Sequence, residues 1–323
     1  MELKNGLNEV YTPASDVKSI AIIIFVHGLF GHPQKTWTGK CRNRSKSSLR
    51  RESGTKPALN GPQGETLPIP TSRSRNNSEF VFWPKDLLPD ALPNVRIYSW
   101  GYDADIWKLM SSVGLNTVHR HARNLLNDLA ALRDELEDRK LPLIFVAHNL
   151  GGLVVKDALN QSAGEVGNKR LGDILPATFG VCFLGTPHRG SKAASILRKV
   201  CRVTEIFAGQ RANTQLLRAL EKNSETLERL TKGFYDTLKK HEGLQIFSFL
   251  EEREVRKFGV ISIVIVDPDS AQVGHGSEET GSIPANNWEM VRFTSTRDTG
   301  FVRIKNVLNR WVGEIQSAAT RKF

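Results

Sequence analysis

Seven residues, Ile20-Ala-Ile-Ile-Ile-Phe-Val26, are apolar without interruption. A run this short and this rich in β-branched side chains suits a strand buried on both faces. Such strands belong to parallel sheets, whose crossover connections lay helices over both sides. Further strands are expected at Val95–Trp100, Leu143–Ala147, Phe179–Leu184, Leu244–Leu250 and Val260–Val266, all predominantly apolar or β-branched. Between them the period changes. Val118, Ala122, Leu125, Leu129, Leu132 and Leu136 follow at three- and four-residue steps, the mark of an amphipathic helix, and Pro142 closes that stretch. Further helices are expected from about Leu153 to Asn160 and from Val302 to Ile315. Strands alternating with helices argue for an α/β domain with a mostly parallel central sheet and helices on both faces. A chain of 323 residues can form this as one unit, 1–323.

Two stretches break the alternation. Between Gly39 and Ser78 stand nine basic residues against Glu52 and Glu65, so this segment holds seven of the eleven net positive charges. It is rich in Ser, Gly, Pro and Asn, and residues 39–79 are expected to form a solvated, flexible insertion. Charge confined to one loop does not suit a nucleic-acid groove, and no nucleic-acid partner is expected. Peripheral contact of the insertion with a lipid surface is the alternative. Residues 192–240 carry apolar helical faces (Ile196, Val200, Val203, Ile206, then Leu216, Leu220, Leu227, Leu230) and are expected to form a helical cap over the sheet.

The third strand, Leu143–Ala147, runs into His148-Asn-Leu-Gly-Gly152 and then a helix. Strand, tight small-residue turn and helix is the geometry of a nucleophile elbow. It sets one side chain, here Asn149, at the carboxyl edge of the sheet and at a helix N-terminus, where backbone N–H groups can hold an anion. His27-Gly28-Leu29 follows the first strand, and Gly185-Thr-Pro-His188 follows the strand after the elbow.

These phrases resemble the lipase-like α/β-hydrolases found alone or fused to fungal NACHT proteins, and their mitochondrial phospholipid-remodelling relatives. The matching segments are Phe25-Val-His-Gly-Leu29, Lys35-Thr-Trp-Thr38, Tyr102-Asp-Ala-Asp105, Gly151-Gly-Leu-Val-Val-Lys156, Phe183-Leu-Gly-Thr-Pro-His-Arg-Gly-Ser191 and Val266-Asp-Pro-Asp-Ser-Ala271, over residues 18 to 312. The resemblance implies an α/β-hydrolase fold. It assigns an oxyanion hole to the amides of Leu29 and Leu150, and a nucleophilic serine to position 149. A carboxamide has no ionisable proton and a delocalised nitrogen lone pair, so Asn149 cannot form an acyl-enzyme. The resemblance places the histidine at Asn287, in Ala285-Asn-Asn287 before Met290 and Phe293, and the acid at Glu251, after Ser248-Phe-Leu250. Two triad positions are then amides.

Three functions fit this pattern. The first is a cofactor-independent lyase, isomerase or cyclase acting on a lipophilic or ester-like small molecule, with Asn149 and Asn287 polarising a carbonyl. The second is a non-catalytic pseudohydrolase that binds or signals. The third is a hydrolase with a displaced base, for which His188 and His275 are candidates. His27, Phe30 and Asp103 are further candidate pocket residues, Asp103 also fitting a turn or helix cap. No spacing suits a metal, a dinucleotide or a P-loop, so no cofactor is expected. Three cysteines and the lack of a long apolar run suggest a cytoplasmic protein.

Overall fold

A computed structural model describes residues 2–28, 31–41, 79–104, 114–136, 140–188, 199, 228–257, 261–263, 266 and 271–321. In chain order the strands are β1 (Gly6–Tyr11), β2 (Ala21–Val26), β3 (Thr38–Lys40), β4 (Phe80–Phe82), β5 (Val95–Gly101) and β6 (Leu143–His148). They continue with β7 (Thr178–Leu184), β8 (Gln245–Glu251), β9 (Val255–Lys257), β10 (Ile261–Ile263) and β11 (Glu278–Ile283). Seven of them form the central sheet in the order β1-β5-β2-β6-β7-β8-β11. Only β1 is antiparallel, to β5; the other neighbours are parallel.

The inner strands follow their apolar runs. All six residues of β2 and of β6 are buried, as a central parallel strand requires. Helices cover both faces. On one side the long helix Gly114–Glu135, the helix Gly151–Gly164 after β6, and the helix over 228–240 supply Leu125, Leu129, Val154 and Phe234 to one core. On the other side Ile304, Leu308 and Trp311 of the C-terminal helix Thr299–Thr320 pack with Trp37 and Trp83. Each such buried side chain contributes roughly 1.5–3 kcal/mol of transfer free energy. Among the described residues, no helix is long and apolar enough to cross a membrane.

The two sheet edges differ from the expectation. Within the run at Val260–Val266, the described strand Ile261–Ile263 lies outside the central sheet. That strand, β10, pairs with β9. The edge strand is β11, Glu278-Glu-Thr-Gly-Ser-Ile283, with Ile283 its one buried residue. An edge strand faces water along much of its length, so it can be polar and leave no apolar run to read. The edge strand β1 escaped notice for the same reason. The helix after β6 also starts at Gly151, two residues earlier than expected.

The ends of the basic insertion are tied together. Strands β3 and β4 pair antiparallel, Lys40 opposite Phe80, and the Cys41 amide donates to the Glu79 carbonyl at 2.8 Å. Residues 42–78 lie outside the described residues. So does the expected cap, apart from Lys199 and 228–240.

Candidate functional site

All parallel strands point their carboxyl ends to one edge of the sheet, and β6 stops there at His148. The next residue, Asn149, has φ 51° and is the one described non-glycine residue with positive φ. A left-handed residue costs roughly 1–2 kcal/mol, and asparagine tolerates it better than most. The turn is crowded from both sides. A Cβ on Gly28 would come within 2.7 Å of the Asn149 Cβ, one on Gly151 within 2.3 Å of the His27 carbonyl, and one on Gly152 within 2.3 Å of Thr186 Oγ1. The glycines on either side therefore permit the sharp bend. Asn149 N–H is tied to the Leu184 carbonyl of β7 at 2.9 Å.

Asn287 arrives from beyond β11. Its loop is held by buried Met290, Val291 and Phe293, and the Trp83 indole donates to the Val291 carbonyl at 2.8 Å. Asn286 Oδ1 accepts from the amides of Trp288 and Glu289, both at 3.0 Å. The loop sets Asn287, fully buried, against the elbow. Asn149 Nδ2 donates to Asn287 Oδ1 at 2.6 Å. Asn287 Nδ2 donates to the Gly185 carbonyl at 3.1 Å. Leu150 N–H donates to Asn149 Oδ1 at 2.7 Å.

Each link fixes the next. A carbonyl can only accept, so Gly185 demands the amino end of Asn287. Its oxygen then demands the amino end of Asn149, which leaves the Asn149 oxygen for the Leu150 amide. Gly185 is itself left-handed, at φ 55°, and a Cβ there would lie 2.3 Å from Asn287 Nδ2.

Glu251 ends β8 beside Ile283 of β11, and its Oε1 accepts from the Val266 amide at 2.7 Å. The described bonds of the Asn287 side chain go to Asn149 and Gly185, and none goes to Glu251. His148 is buried, with Nε2 2.7 Å from the Asn287 carbonyl. Burial pushes its pKa down to about 4, so it is a neutral imidazole near pH 7.

The remaining sequence candidates fall in different places. Leu29 and Phe30 lie outside the described residues. The Leu150 amide lies at the site but is engaged by Asn149. His27 is buried, stacked on Tyr102 at 4.5 Å, and accepts the Tyr102 amide at Nε2. Burial lowers its pKa to about 4, and it shapes the turn after β2. Asp103 is exposed.

His188 is fully buried against Phe183, 4.5 Å between ring centres, with no hydrogen-bond partner among the described residues. Burial holds its pKa well below the usual value. His275 stands before β11, whose first residue pairs with Ile246 near the start of β8. The six residues of β11 separate it from the carboxyl edge by about 20 Å at ~3.3 Å per residue. It sits near the surface, bonded to Ser277 Oγ at 2.8 Å, at the wrong end of the sheet to act on position 149. The displaced-base idea therefore fails for His275 on geometry.

Sequence reasoning passed over Lys156. It follows Gly152 by four residues on the same helix and is fully buried, with its Nζ 5.7 Å from the Phe183 ring centre and 5.4 Å from that of Phe234. The available signal was a lysine inside an otherwise apolar helix start, Gly-Gly-Leu-Val-Val-Lys.

The strand order, the lone antiparallel edge strand, the left-handed elbow after β6 and the following helix define an α/β-hydrolase fold. Among curated proteins, the chain is similar to Protein SERAC1. It is 26% identical to the protein of Mus musculus over 258 residues, which is 79% of this chain and 34% of that protein. To the protein of Homo sapiens it is 24% identical over 272 residues, 84% of this chain and 36% of that protein. The chain thus spans about a third of the length of these relatives. No protein-family model matches it. Similar solved structures include a soluble variant of monoglyceride lipase from Saccharomyces cerevisiae, at TM-score 0.45 and 8% identity, covering 96% of this chain and 91% of that one. A lipase-esterase related protein from Clostridium acetobutylicum gives TM-score 0.44 and 10% identity, covering 94% and 99%. The strand order, rather than these likenesses, carries the fold.

Proposed function

We propose that this chain is a hydrolase-fold protein that binds a lipophilic, carbonyl-bearing small molecule and does not form an acyl-enzyme with it. The observation that carries this reading is the closed amide chain from Leu150 through Asn149 and Asn287 to Gly185. The residue at the elbow is not a nucleophile, and its partner is not a base. Asn149 Oδ1 already occupies the Leu150 donor, as a ligand carbonyl would. A ligand oxygen can replace it there by a rotation of the Asn149 side chain. The basic segment between Gly39 and Ser78 suits an anionic lipid surface, where a lipophilic ligand would be met. The motif phrases favour kinship with the NACHT-associated branch of lipase-like proteins.

A lyase, isomerase or cyclase acting at the same place needs a proton acceptor. One observation supports it: His148 Nδ1 is buried without a hydrogen-bond partner among the described residues. Its pKa of about 4 makes it a weak base at neutral pH, and for that reason the binding reading is preferred.

Equilibrium dialysis against p-nitrophenyl decanoate tests the reading. Saturable binding with the ester recovered intact supports it. Catalytic release of nitrophenol that co-purifies with the chain overturns it.

A further inference from the structure

We propose that Lys156, His188, Thr186 and Ser248 form a buried subsite for a carboxylate, on the sheet face covered by the helix after the elbow. This goes beyond the function proposed above and stands whether or not Asn149 takes part in catalysis.

The four groups share one side of the fold. Gly152 and Lys156 are four residues apart on that helix and so lie on the same helical face. Gly152 packs on Thr186. One turn further, Lys156 lies over the Phe183 ring, and the His188 ring packs on that same phenyl group. Ser248 of β8 is in register with Phe183 of β7, so both side chains point to this face. All four residues are buried, none more than 1% exposed.

Their side-chain polar atoms are unsatisfied among the described residues. Lys156 Nζ, both ring nitrogens of His188, Thr186 Oγ1 and Ser248 Oγ make no hydrogen bond among the described residues. Each such buried group costs about 1–3 kcal/mol, and more if charged. Buried polar groups are ordinarily satisfied, so a cluster of orphans on one face marks a place where something binds. The nearest acidic influence on Lys156 comes from Glu278, whose two oxygens already accept the amides of Val273 and Gly274 at 2.9 and 2.7 Å.

The donor inventory selects the ligand. An ammonium, two hydroxyls and one N–H of a neutral imidazole can all donate. A carboxylate only accepts, and its two oxygens offer about four lone-pair sites. One negative charge matches one ammonium, which a phosphate dianion would exceed. The Phe183 and Phe234 rings around the cluster suit a hydrocarbon tail on the acid. Burial lowers the Lys156 pKa to about 7, and a bound carboxylate would restore its charge by drawing in a proton.

Isothermal titration calorimetry of the full chain with decanoate and with methyl decanoate tests the proposal. Decanoate is expected to bind at least tenfold more tightly than the ester at pH 8, with net proton uptake seen by repeating the titration in buffers of different ionisation enthalpy. Lys156→Met, close in shape and unbranched, is expected to fold and to lose that preference while binding the ester as before. Should that variant fail to fold, His188→Gln and the proton-uptake measurement on the unaltered chain decide. Equal affinity for acid and ester, no decanoate binding, or a Lys156→Met protein with unchanged decanoate affinity would each overturn the proposal and leave the cluster solvated by water alone.

Discussion

Asn149 Nδ2 donates to Asn287 Oδ1 across 2.6 Å, joining two residues 138 positions apart in the chain. These are the two positions at which the sequence resemblance implies a nucleophile and its base. Here the bond links two groups that cannot ionise, and their orientation is fixed at both ends by the Leu150 amide and the Gly185 carbonyl.

Replacing one amide should therefore not yield a hydrolase. Asn149→Ser removes the bond to Asn287 and places serine in a left-handed turn that asparagine tolerates better. Urea unfolding should show a loss of about 1–3 kcal/mol. Neither Asn149→Ser nor Asn287→His should release nitrophenol from p-nitrophenyl esters above the parent protein. The double variant is expected to be the first with measurable turnover. Turnover by Asn149→Ser alone would show that the base lies elsewhere.

Gly185→Ala should be more damaging than its size suggests. It puts a side chain on a residue with φ 55° and drives a Cβ to 2.3 Å from Asn287 Nδ2 and 2.9 Å from Met290 Sδ. A destabilisation of about 2–4 kcal/mol is expected in urea titration, with loss of ester binding. A Gly164→Ala control has nothing within 4 Å and should leave binding unchanged.

Acid should weaken the fold well above the carboxylate range. Burial lowers His27 and His148 from the usual 6.5 to about 4. Between those values the unfolded chain binds protons that the folded one refuses. Their contribution is complete above pH 6.5, declines as pH falls, and is spent near pH 4. At full effect it amounts to about 3 kcal/mol per histidine. Thermal melts from pH 7.5 to 4.5 should show a progressive fall in Tm. A flat profile would mean that these rings are hydrated.

The opposite arm of the pH profile isolates Lys156. Its pKa is lowered from 10.5 to about 7, so between those values the unfolded chain again binds the extra proton. Stability from this group rises with pH across that window, by about 1.4 kcal/mol per pH unit. The difference between the parent protein and Lys156→Met should follow that slope in urea titrations from pH 7 to 9. A constant difference would place a counter-charge beside the lysine.

Much of the interior was legible because burial writes itself into apolar residues: β2, β6 and β7 follow nearly continuous runs, and β5 and β8 are apolar at most positions. The edges were not. The strand Glu278–Ile283 buries one residue and reads as a loop, while the described part of the apolar run at Val260–Val266 is a strand that pairs outside the central sheet. The elbow was visible as strand, glycine turn and helix. Asn287 could be placed only through the spacing to Met290 and Phe293. Its contact with Asn149 depends on how that loop packs, which local sequence does not encode. The buried lysine was missed because helical periodicity treats a charged residue as a solvent-facing one.

The decisive property of the elbow is whether it can hold a covalent acyl group. Intact-protein mass spectrometry after incubation with p-nitrophenyl decanoate measures this directly. The amide pair predicts an unchanged polypeptide mass while the ester is retained non-covalently and recovered whole. A decanoyl adduct mapped to the His148–Gly152 turn, accumulating with a burst of nitrophenol, would contradict it.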